Sequence, residues 1–122
     1  MSDELTLDDW LDSTDKKRAE LLEYAQSPIP TDPGERYLDI SKALGLGQDA
    51  GDFLADLDKH LIDATAKADL EVRRTDGELT ADERKSLVRA TVSGIARLRD
   101  GLQVIYTSIK DRRFVLMNLN RI

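Results

Sequence analysis

VRATVSGIARLRDGLQVIYTSI, residues 88–109, is the stretch on which the fold turns. Val88, Thr91, Ile95, Leu98, Leu102, Ile105 and Ile109 recur at alternating spacings of three and four, one apolar seam of the kind that pairs helices in a left-handed sense. Leu87, Val92 and Tyr106 widen the stripe, so the helix that carries it should meet more than one neighbour. Just upstream, Thr80 and Glu83 stand as N-cap and N3 of a capping box, which sets the start of this predicted helix. It runs at least to Ile109.

A second long helix is predicted from Asp49, a credible N-cap, to Arg73. Ala50, Phe53, Leu54, Leu57, Leu61, Ala64 and Ala68 form its apolar stripe. Residues 49–74 and 80–112 thus read as a long antiparallel helical hairpin. About 30 residues at 1.5 Å each span ~45 Å. The expected fold is all-α: an elongated helical bundle in one domain, residues 1–122, built on that hairpin and carrying an N-terminal helical arm.

Between the two helices lies VRRTDGELTADE, residues 72–83. It resembles the loop of an EF-hand, with Asp76, Gly77, Leu79 and Glu83 at the fifth, sixth, eighth and twelfth positions. That resemblance would imply calcium held by oxygens. The first and third positions depart from it: Val72 brings no oxygen and Arg74 brings a cation. Asp76-Gly77 as an interhelical turn, followed by the Thr80 cap, accounts for every residue. No metal is expected.

Towards the N-terminus, Thr6 and Asp9 resemble a second capping box. Leu7, Trp10, Leu11, Thr14, Arg18, Leu21, Leu22 and Ala25 then follow at helical spacing, as one helix of about 20 residues or as two short ones. SPIPTDPG, residues 27–34, has three prolines in six positions and breaks the chain into a linker, leaving residues 1–26 as an acidic arm. A short helix is predicted from Glu35 to Leu44 with Tyr37, Leu38, Ser41 and Leu44 on one side. GLG at residues 45–47 is expected to end it. The tail after Ile109 reads as a strand or as more helix, since Leu116 and Leu119 extend the heptad.

The absence of cysteine removes disulfides, thiolate nucleophiles and cysteine-ligated metals. No apolar run approaches the ~20 residues of a membrane span, and no signal peptide is visible, so a cytoplasmic location is expected. His60, with Asp56 and Asp63 on the same strip, has the residue types for metal binding or acid–base work. Lys59 and Lys67 instead mark that strip as a salt-bridged flank. Neither a Gly-x-Ser-x-Gly elbow nor a phosphate-binding glycine loop is present. The reading is non-enzymatic, without cofactor.

The net charge of −6 is unevenly spread: residues 87–122 hold seven Lys and Arg against two Asp, while the first fifteen hold six acids and no base. The C-terminal stretch KDRRFVLMNLNRI, residues 110–122, combines cations with exposed-looking apolar residues. A protein–protein interaction module follows, an assembly, adaptor or chaperone-like subunit that self-associates or binds another protein. Its expected interface is Leu98, Leu102, Ile105, Tyr106, Ile109, Phe114, Leu116, Met117 and Leu119. The alternative is nucleic-acid or acidic-partner contact through Lys110, Arg112 and Arg113. Leu7, Trp10 and Leu11 are candidate anchors of a docking arm.

Overall fold

The computed structural model describes residues 6–75 and 79–121. Of these, 89% are helical, in four helices and without a strand: α1 (Leu7–Gln26), α2 (Pro33–Thr75), α3 (Ala81–Thr91) and α4 (Ser93–Leu119). The all-α helical bundle is therefore observed, with α2 packed against α3 and α4. The interhelical turn at Asp76-Gly77, and with it the centre of the EF-hand-like stretch, lies outside the described residues.

Thr6 and Thr80 both act as N-caps. The Thr6 hydroxyl accepts from the Asp9 N–H at 3.2 Å, and the Thr80 hydroxyl accepts from the Glu83 N–H at 3.2 Å while donating to the Glu83 carboxylate at 3.1 Å. α1 is one helix, not two. Thr14 stays within it because its hydroxyl donates back to the Trp10 carbonyl at 2.7 Å. Ser27 ends the helix, its N–H and hydroxyl both satisfying the Tyr24 carbonyl. The proline strap is shorter than expected: Asp32 caps the Glu35 N–H at 3.0 Å and Pro33 is the first residue of α2. Proline suits that position, where the missing N–H has no intrahelical partner.

The expected stop at GLG does not occur. α2 runs through Gly45, Gly47 and Gly51 without a positive φ. The reason is packing. The stripe Ala50, Leu54, Leu57 continues upstream at Leu46, Ala43 and Asp39, all buried, at the same spacings of four and three. Each interior glycine costs about 1 kcal/mol relative to alanine, less than an uninterrupted buried face returns. Two of the three serve the contact. A Cβ on Gly47 would stand 3.5 Å from Ile109 and one on Gly51 3.4 Å from Tyr106, so α4 passes as close as a methyl group allows. Tyr37, Leu38, Ser41 and Leu44, read as one side of a short helix, are all exposed, Leu38 to 75%.

The long C-terminal helix also differs from expectation, because it divides at Val92 (φ −98°, ψ 6°) into α3 and α4. The Thr91 hydroxyl donates to the Leu87 carbonyl and the Ser93 hydroxyl to that of Ala90, competing with the helical ladder around a β-branched residue and ahead of Gly94. The seam shifts with the break: Thr91 is exposed and Val92 buried. The tail is helix to Leu119, with no strand among the described residues.

The chain gathers into two compact units. One comprises α1, α2 through Asp52 and α4 from Gln103, with Trp10, Leu21, Tyr24, Ala43, Leu46, Ala50, Ile109 and Leu116 buried. The other, Phe53–Leu102, is a helical hairpin whose cluster of Ala68, Val88 and Val92 is flanked by partly buried Leu61, Ala64 and Val72.

Candidate interaction site

In the first unit the polar centre is a clasp on Arg112. Its Nε and one terminal nitrogen donate to Asp39 Oδ2 at 3.0 and 2.8 Å, and that nitrogen also reaches the Pro28 carbonyl at 2.9 Å. The other terminal nitrogen donates to the Ser27 carbonyl at 2.6 Å and the Tyr24 carbonyl at 3.4 Å. All five donors of the guanidinium are thereby used. The Tyr24 ring lies 4.5 Å from the guanidinium carbon, and its hydroxyl donates to Asp39 Oδ1 at 2.7 Å. Burial, reinforced by the bonded Asp39 carboxylate, holds the Tyr24 phenol well above the usual tyrosine range. Orphan carbonyls at the end of α1 are thus closed by a residue from α4.

This corrects the expectation for Arg112. It is buried and its donors are spent, so it offers nothing to a phosphate or an acidic partner. Lys110 and Arg113 remain beside a 170 Å³ crevice between α2 and α4, floored by Gly47 and Gly51, with the Lys110 ammonium 5.4 Å from the Tyr106 ring. The proposed interface residues are scattered. Leu102, Ile109 and Leu116 are core; Leu98, Ile105, Tyr106 and Met117 are half-buried; only Phe114 and Leu119 are exposed, as are Val104 and Val115 on the same helix. Trp10 is buried with the Arg18 guanidinium 5.7 Å from its ring, Leu7 and Leu11 are half-buried, and Lys17 pairs with Asp49 at 3.3 Å. The arm is docked on its own unit.

Arg112 and Asp39 were visible in the pattern without being read from it. Arg112 falls on the heptad between Ile109 and Leu116, and Asp39 on the stripe four residues before Ala43. Two opposite charges on two buried seams were the signal.

The second unit holds the larger opening. A groove of about 720 Å³ runs between α2 and the α3–α4 segment, lined by Leu61, Ile62, Thr65, Ala66, Val88, Val92 and Ala96, with Asp69, Lys85 and Arg89 at its edges. Ile62 is 68% exposed there. Two helices cannot enclose both flanks of their shared seam, so one flank is left open. Elsewhere in the unit, Arg99 donates to Asp58 at 2.7 Å, and that carboxylate, by hydrogen bond and then by charge, raises the Arg99 pKa. Asp56 and His60 each have interaction partners, and no group of three metal-ligating side chains gathers among the described residues. None of the described helices is long and apolar enough to cross a membrane.

No protein-family model matches this chain, and no match to it is found among curated proteins or solved structures.

Proposed function

We propose that the protein is a non-catalytic helical interaction module that works in the cytoplasm and whose operative surface is the groove of the Phe53–Leu102 hairpin. One observation carries this reading: an apolar channel about 720 Å³ in volume, with Ile62 on its lip, lies open on a unit that fully buries few side chains. Covering such side chains would gain roughly 1.5–3 kcal/mol each. The C-terminal helix is the weaker surface, since its seam is already spent inside the first unit and Phe114 stands among charged neighbours.

Site-specific photo-crosslinking tests it. A benzophenone side chain at position 62 should trap a protein adduct in the cells that make this chain, whereas one at position 104, exposed on the other unit, should not. Adducts at both positions, or at neither, would overturn the reading.

A further inference from the structure

Resting on that reading, we infer that the occupant of the groove is one acidic amphipathic helix of a partner protein, lying over α2 and α3 as a third helix. The molecule contains its own precedent. In the first unit the pair made by α2 and α4 is covered by a single amphipathic helix, α1, which buries Trp10, Thr14, Leu21 and Tyr24 and turns Asp8, Asp9, Asp12 and Asp15 outward. The hairpin presents the same kind of surface, a groove between two helices with a small apolar floor of Ala66, Val88, Val92 and Ala96, and it lacks the third helix. Apolar residues at successive turns of one helix would fill it.

The charge at the edges sets the sign of the partner. Lys85 and Arg89 line the groove one turn apart on α3, and neither enters an ion pair among the described residues. The one carboxylate among the lining residues, Asp69 on α2, is already answered by Arg73 at 3.2 Å. The unanswered charge is therefore positive. A second copy meeting it groove to groove would bring the same two cations, and the carboxylate that lines its groove, Asp69, is already paired. A helix with Glu or Asp flanking its apolar stripe meets both, and its long-range attraction would also speed encounter.

The test uses the whole chain and two synthetic helices of about 20 residues with identical Leu stripes, one flanked by Glu and one by Lys. Fluorescence anisotropy should show the Glu peptide binding about tenfold more tightly than the Lys peptide at low salt. Lys85→Glu with Arg89→Glu should reverse that order. Ile62→Glu should weaken both peptides by tenfold or more, while Phe114→Glu, on the other unit, should weaken neither. Equal binding of the two peptides, or a preference untouched by the charge reversal, overturns the inference. So does a dimer in sedimentation that Ile62→Glu dissociates. That last outcome would keep the groove as the interaction surface and assign it to a second copy. The absence of any adduct from position 62 would remove both conclusions.

Discussion

Arg112 and Asp39 meet through a single carboxylate oxygen. Oδ2 accepts from both Nε and a terminal nitrogen of the guanidinium, while Oδ1 is held by the Tyr24 hydroxyl. The pair is therefore part of a three-residue network in which each member satisfies what the others leave open, at a site where water cannot substitute.

Removing one charge should be worse than removing both. Arg112→Leu leaves Asp39 buried without its cation and is expected to cost about 3–5 kcal/mol, whereas Arg112→Leu with Asp39→Leu should recover a large part of that loss. Arg112→Lys should also destabilise, because an ammonium cannot reach three carbonyls and Asp39 together. Urea denaturation followed by the fluorescence of Trp10 measures all three. A double variant no more stable than the single would sink the account.

Tyr24 supplies an alkaline signature. Its folded pKa lies above the unfolded value of about 10, so the protonated phenol stabilises the fold fully below that pH. The contribution is lost as pH rises from there towards the folded pKa. The stability of the native chain should therefore fall above about pH 10 more steeply than that of Tyr24→Phe. Urea midpoints for the two proteins from pH 8 to 11 would show parallel curves if the phenol played no part.

The glycines of the long helices should separate by environment. Gly45 and Gly101 have open space where a Cβ would go, so alanine at either should add about 0.5–1 kcal/mol. Gly51→Leu must push against Tyr106 and should cost about 1–3 kcal/mol. Thermal unfolding of the three variants decides the matter; a stabilising Gly51→Leu would mean that α2 and α4 can move apart freely.

Docking of α1 gives a fourth expectation. Trp10 is 4% exposed, so Trp10→Ala should cost about 3–5 kcal/mol, the range of large aromatic truncations in a core. Ser13→Ala, one turn along but exposed, should change little. If Trp10→Ala unfolds at the same urea concentration as the native chain, the arm contributes nothing to the fold.

Much of the architecture was readable in one dimension because it depends on nearest neighbours along the chain. The caps at Thr6 and Thr80 form within four residues, and the proline strap is dictated by missing donors. The stripes from Ala50 to Ala68 and from Leu102 to Leu116 follow from helical period alone. The candidate groove was not readable. Ile62 and Arg89 lie on different helices, and neither breaks a local pattern.

What the sequence by itself determined was helix, the capped starts at Thr6 and Thr80, and which residues lie on one face, since these arise from backbone geometry and contacts within a turn or two. Tertiary structure alone decided that GLG at 45–47 is helix and not a stop, because glycine's intrinsic cost is outweighed only when α4 packs against that face. It also decided that Arg112 belongs to the interior. A guanidinium is ordinarily driven to water, and here Asp39, Tyr24 and three carbonyls of another segment replace every hydrogen bond that water would have made.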